Sequence, residues 1–149
     1  MKTDPIAIVV QSAKSRFNAQ KNCLDSLLTN TDLPYRLLWH HVIDDHNTET
    51  TSMLLNYAQR GQIHHLFLHH ETDDYKWGSY YNWSSLIYTQ TYNVFGVFPL
   101  QWLIISCDDM EFQPGWLSHS LATMEKFSDM KIGIWSPYRP PEHYVPPPL

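Results

Sequence analysis

Apolar runs alternate with amphipathic stretches along most of this chain. Ile6 to Val10 is unbroken and of strand length, so it predicts a buried strand. From Ser15 to Asn30 the residues Phe17, Cys23, Leu24, Leu27 and Leu28 recur at helical spacing, which predicts a helix with that side turned inward. Arg36 to Ile43 reads as a second strand. Asn47 or Thr48 then caps a helix through Gln59, with Met53, Leu54, Tyr57 and Ala58 facing in and Gly61 ending it. A third strand is expected over Gln62 to Leu68, a long helix over Ser79 to Phe95, and a fourth strand over Trp102 to Cys107. Pro114 opens a further helix to Phe127, and Lys131 to Trp135 gives a fifth strand. Strands separated by helices imply an α/β domain of three layers, with a mostly parallel central sheet and helices on both faces. Residues 1–136 form that domain; Pro137, Pro140, Pro141, Pro146, Pro147 and Pro148 make 137–149 a Pro-rich C-terminal tail without regular structure.

A chain of 149 residues can bury one core, and 43% hydrophobic with 17% charged residues suits a globular domain. The formal charge of -5, with no block of Lys or Arg, lacks the footprint that holds a nucleic-acid backbone. An acidic protein that handles phosphates needs a cation to balance them. Cys23 and Cys107 form neither a disulfide framework nor a zinc signature, and a reducing compartment is expected. The apolar run after Met-Lys-Thr-Asp-Pro is too short for a secretory signal and no later run has membrane-span length, so the expectation is a cytoplasmic protein.

The chemistry concentrates where strands end. Ile104-Ile105-Ser106-Cys107-Asp108-Asp109-Met110-Glu111 delivers adjacent carboxylates to the carboxyl edge of a sheet, where open α/β domains bind ligands. Asp44-Asp45 ends another apolar run in the same way. Neighbouring ionised aspartates repel, and a hard divalent cation with oxygen ligands relieves that repulsion. Gln11 and Ser12, Asp44 and Asp45, and Cys107 to Asp109 all fall at this edge. Gln11 and Ser12 can donate and accept around a base or sugar, Asp45 can accept from a base N–H or a ribose hydroxyl, and Asp109 can hold a metal. Such a set suits a nucleoside diphosphate; the alternative is that each is a loop residue chosen for turn propensity.

These residues resemble the inverting family 2 glycosyltransferases, whose nucleotide-sugar domain has the GT-A type fold. The resemblance runs from Ile6 to Trp135. It rests on Ile-Ala-Ile-Val-Val-Gln-Ser at the first strand, Val42-Ile43-Asp44-Asp45-His46-Asn47-Thr48-Glu49-Thr50 at the second, Asn82 early in the long helix, and Cys107-Asp108-Asp109-Met110-Glu111-Phe112-Gln113-Pro114-Gly115-Trp116-Leu117. It implies transfer of a hexose from a nucleotide-diphosphate sugar, by analogy UDP-linked, to an unknown glycan, lipid or protein acceptor. By the same resemblance Asp45 contacts the base, Asp108 the ribose, and Asp109 the Mn2+ or Mg2+ ion that bridges the diphosphate. A carboxylate in the acceptor half would deprotonate the incoming hydroxyl. Cys107 stands where the family's first acidic residue usually is, and Ala13 where its loop aromatic often is. The family's acceptor half follows the fifth strand, where this chain has its Pro-rich end, so the alternatives are a piece of a longer protein, a natural donor-binding half, or a member whose acceptor site a homo-oligomer or partner subunit supplies.

Other features carry competing readings. In the doublets His40-His41, His64-His65 and His69-His70 neighbouring side chains point to opposite sheet faces, so one doublet cannot chelate a metal with both rings. Lys76 precedes the long helix and could reach a phosphate, although such loops more often carry solvated charge. Asp73-Asp74 reads as an exposed turn rather than a third acidic site. Trp77, Tyr80, Tyr81 and Trp83 suit either stacking on a ligand or core packing. Glu111 is either an accessory ligand or surface charge. A non-catalytic nucleotide-binding or interaction module is the alternative to an enzyme. A nucleotidyltransferase ranks last, because a Gly-rich basic phosphate loop is missing near the first strand.

Overall fold

The computed structural model describes residues 6–13, 16–43, 48–70 and 102–127. In chain order these form β1 (Ile6–Ala13), α1 (Phe17–Asn30), β2 (Tyr35–Ile43), α2 (Thr48–Gln59), β3 (His65–His70), β4 (Trp102–Cys107) and α3 (Trp116–Glu125). The four strands make one sheet in the order β3-β2-β1-β4, and every pairing is parallel. An α/β fold is therefore present. The expected helix over Ser79 to Phe95, the fifth strand over Lys131 to Trp135 and the Pro-rich tail lie outside the described residues.

Alternation along the strands sorts the side chains. The register sets Ile8 beside Leu37 and Ile104, and Val10 beside Trp39. These residues belong to one core with Cys23, Leu24 and Leu27 of α1 and Met53 and Leu54 of α2. Both helices thus cover the same face, as their apolar stripes require. Ala7, Val9 and Leu38 point to the other face and are fully buried too. A strand buried on both faces reads as a continuous apolar run, which is why Ile6 to Val10 shows no polar alternation. In β4, the last strand of the described sheet on this side, the side chains of Leu103 and Ile105 are exposed.

Several element boundaries differ from the expected ones, and two of the differences have identifiable reasons. β3 begins at His65 rather than Gln62, because Gln62 and Ile63 donate their backbone N–H groups to Tyr57 at the end of α2. His64 then donates its N–H to the Leu37 carbonyl, while its Nδ1 accepts from the Leu37 N–H at 2.9 Å. α3 begins at Trp116 rather than Pro114, since Gly115 adopts φ +72°, a left-handed conformation outside the helix. No side chain of the α3 N-cap residue closes that end. Asp32, just after α1, does so from a distance by accepting the Ser118 N–H at 3.1 Å. Among the described residues no helix is long and apolar enough to cross a membrane.

Adjacent residues on α2 provide a test of this packing. Leu54 is fully buried and Leu55 is 42% exposed. Leu54→Ala is expected to destabilise the protein by about 2–5 kcal/mol and Leu55→Ala by under about 0.5 kcal/mol, measured by urea unfolding.

Candidate functional site

The strand order creates the site. From β1 the sheet grows in one direction through β2 and β3 and in the other through β4. The β1/β4 boundary is a topological switch point, where an open parallel sheet leaves a crevice at its carboxyl ends. Gln11 lies beside Cys107 in this register, so the end of β1 and the acidic turn after β4 are neighbours.

The turn sends its two aspartates to different environments. Asp108 is 1% exposed, and both carboxylate oxygens are engaged by the start of α1: Arg16 Nη2 donates to Oδ1 at 2.5 Å and Gln20 Nε2 to Oδ2 at 2.8 Å. Burial lifts the Asp108 carboxyl above its ordinary range. Gln20 and the Arg16 charge oppose that rise, while the Asp109 charge adds to it. The Asp109 side chain is 56% exposed, with Oδ2 3.8 Å from Arg16 Nη1. At that distance the pair is an electrostatic contact rather than a hydrogen bond. The Arg16 side chain is itself half exposed. Water therefore screens one side of the Arg16–Asp108 pair, and its loss would cost about 1–3 kcal/mol rather than the larger figure for a fully buried pair.

Side chains of α1 also fix the backbone beyond β4. Cys23 Sγ donates to the Cys107 carbonyl at 3.5 Å, Ser26 Oγ accepts from the Phe112 N–H at 3.0 Å, and Asn30 Nδ2 donates to the Phe112 carbonyl at 2.6 Å. Phe112 is buried against this helix, and its ring lies 4.7 Å from that of Trp116. The acidic turn is thus held by a helix that itself begins just past the carboxyl end of β1.

The expected site residues separate into three groups. Asp108 and Asp109 sit together at the switch point, and Gln11 is partly buried beside Cys107. Ser12 is buried on the face covered by α1 and α2, where the Trp39 indole N–H donates to its Oγ at 2.7 Å. With His41 as the Nε2–H tautomer, the Ser12 hydroxyl donates to Nδ1 at 2.6 Å, which turns it inward to the sheet. Asp45, Lys76 and Asn82, together with Asp44, Asp73, Asp74, Trp77, Tyr80, Tyr81 and Trp83, lie outside the described residues. His40 and His41 are both buried and point to opposite faces. Glu111 is exposed beyond the acidic turn.

Arg16 and Gln20 were not foreseen as site residues, yet a signal for them exists. Gln20 is fully buried and falls on the stripe of Cys23, Leu24 and Leu27, with Arg16 one turn earlier. Polar residues on the inward stripe of a helix need a buried partner, and Asp108 is that partner.

Among the described residues no group of three or more His, Cys, Asp and Glu side chains converges to hold a metal ion. The donor set still fits a hard cation in one respect. Asp109 offers an exposed carboxylate, and Mg2+ commonly binds through one or two carboxylates with substrate phosphates and water completing its shell. No protein-family model matches the chain, and no curated protein matches it.

The two thiols report on this packing. Cys23 is fully buried and its thiol is pushed up to about 12 by burial, whereas Cys107 is exposed and raised less, by partial burial and the adjacent aspartates. Native protein at pH 8 is expected to react with a thiol reagent at Cys107 only, more slowly than free cysteine. Cys107→Ser should leave no fast-reacting thiol until urea exposes Cys23.

Proposed function

We propose that this chain is the nucleotide-sugar-binding half of a metal-dependent, inverting glycosyltransferase of GT-A type, transferring a hexose from a UDP-linked donor. The observation that carries the reading is the placement of an exposed Asp109 and a buried Asp108 at the β1/β4 switch point of a parallel sheet. In this proposal the central sheet has helices on both faces, and Asp45, Gln11, Lys76 and Asn82 complete the donor site. Asp109 is the carboxylate that holds Mn2+ or Mg2+. A divalent cation held there would supply positive charge to balance the negative charge that grows on a departing nucleoside diphosphate. With both oxygens of Asp108 engaged by Arg16 and Gln20, its part is to orient the turn that carries Asp109, and any ribose contact uses its remaining lone pairs.

A second reading is a nucleotide-binding module without turnover. It is favoured by Cys107 in place of a carboxylate and by the internal commitment of Asp108, which leave Asp109 as the exposed aspartate at this turn.

Thermal unfolding with UDP and Mn2+ distinguishes binding from its absence. A ligand selective for the folded state, at 100 times its Kd, adds about 2.7 kcal/mol, or about 5–10 °C for a domain of this size. Asp109→Ala should erase the Mn2+-dependent part of that rise without lowering the melting temperature of the free protein, since the side chain is exposed. Equal stabilisation of the variant and the parent would contradict the role of Asp109. Release of UDP from a UDP-hexose separates the enzyme from the module.

A further inference from the structure

We propose that Arg16 is the residue that binds the phosphate oxygens of the nucleoside diphosphate, a role resting on the donor-site reading above. The inference comes from where the described cations lie. Lys21 is paired with Asp25, Arg36 stands at the amino end of β2, Arg60 follows α2, and Lys126 follows α3. Arg16 is, among the described residues, the Lys or Arg placed at the carboxyl ends of β1 and β4.

Its donors are only partly used. A guanidinium carries five N–H groups in a planar fork. One nitrogen of Arg16 binds Asp108, the Asp109 contact lies beyond hydrogen-bond distance, and half of the side chain faces solvent. The donors left over face solvent, where a ligand can reach them. The buried Asp108, itself held by Gln20, restrains the fork from behind, which lowers the entropic cost of meeting a ligand. Charge leads to the same residue. Arg16 and Asp108 cancel formally, Asp109 remains negative, and a diphosphate brings further negative charge. A cation on Asp109 and the fork of Arg16 can then share the phosphate oxygens, since bidentate Arg–phosphate pairing is a strong charge-assisted contact.

The ratio of UDP to uridine affinity isolates the phosphate contribution, so titration calorimetry of both ligands with Mg2+ present is the test. In Arg16→Gln that ratio is expected to fall about tenfold or more, with uridine affinity little changed. Asp108 would be left buried without its cation in that variant. Arg16→Gln combined with Asp108→Asn removes the charge as well, and Arg16→Lys keeps a charge without the fork. The combined variant should show the same fall, and the lysine variant an intermediate one. An unchanged ratio in any folded variant that lacks the arginine charge overturns the assignment while leaving the donor-site reading in place. Failure of the parent protein to bind either UDP or uridine overturns both.

Discussion

A parallel strand can be reached only by a chain that returns to the far end of the sheet, so each strand in such a sheet ends at the same edge. That constraint organises this molecule. β1 is hydrogen-bonded on both sides, by β2 and by β4, and is buried on both faces over Ala7 to Val10. Because β2 and β3 extend the sheet one way and β4 the other, the carboxyl ends of β1 and β4 meet although about 90 residues of sequence separate them. The arrangement brings Gln11, Arg16, Asp108 and Asp109 into one neighbourhood.

Packing and polar chemistry support one another around that meeting point. α1 buries Cys23, Leu24 and Leu27 against the sheet, and the same inward stripe carries Gln20, with Arg16 one turn before it. Leaving Asp108 buried without those two partners would cost the desolvation of a charge, so the apolar core and the acidic turn require the same helix position. Ser26 and Asn30 extend the attachment to Phe112, and Asp32 extends it to α3. Asp109 is presented to solvent because its neighbour is anchored.

The strands were legible because their core faces are nearly unbroken apolar runs. β4 matches its expected range, Trp102 to Cys107. The inward residues of α1 and α2 follow from spacing, with Phe17, Leu28, Tyr57 and Ala58 partly buried at the margins. The start of β3 was not legible, since Gln62 and Ile63 are held by a backbone carbonyl at the end of α2 rather than by a neighbouring strand. At the site, adjacency in sequence could not separate Asp108 from Asp109. Their difference arises from the turn after β4 and from α1 residues some 90 positions away. Ser12 was expected at the crevice, but alternation places its hydroxyl between Trp39 and His41 within the sheet face.

A ligand site at the junction of β1 and β4 is most directly tested by amide chemical-shift mapping with UDP and Mg2+. The account predicts that Gln11, Arg16 and Cys107 to Asp109 shift first and saturate together. Tyr35, Arg36 and Gly61 to His64, at or beside the amino ends of the strands, should stay in place. Shifts confined to those amino-end residues or to the exposed Leu103 and Ile105 of β4, or no shifts at saturating UDP, would contradict it.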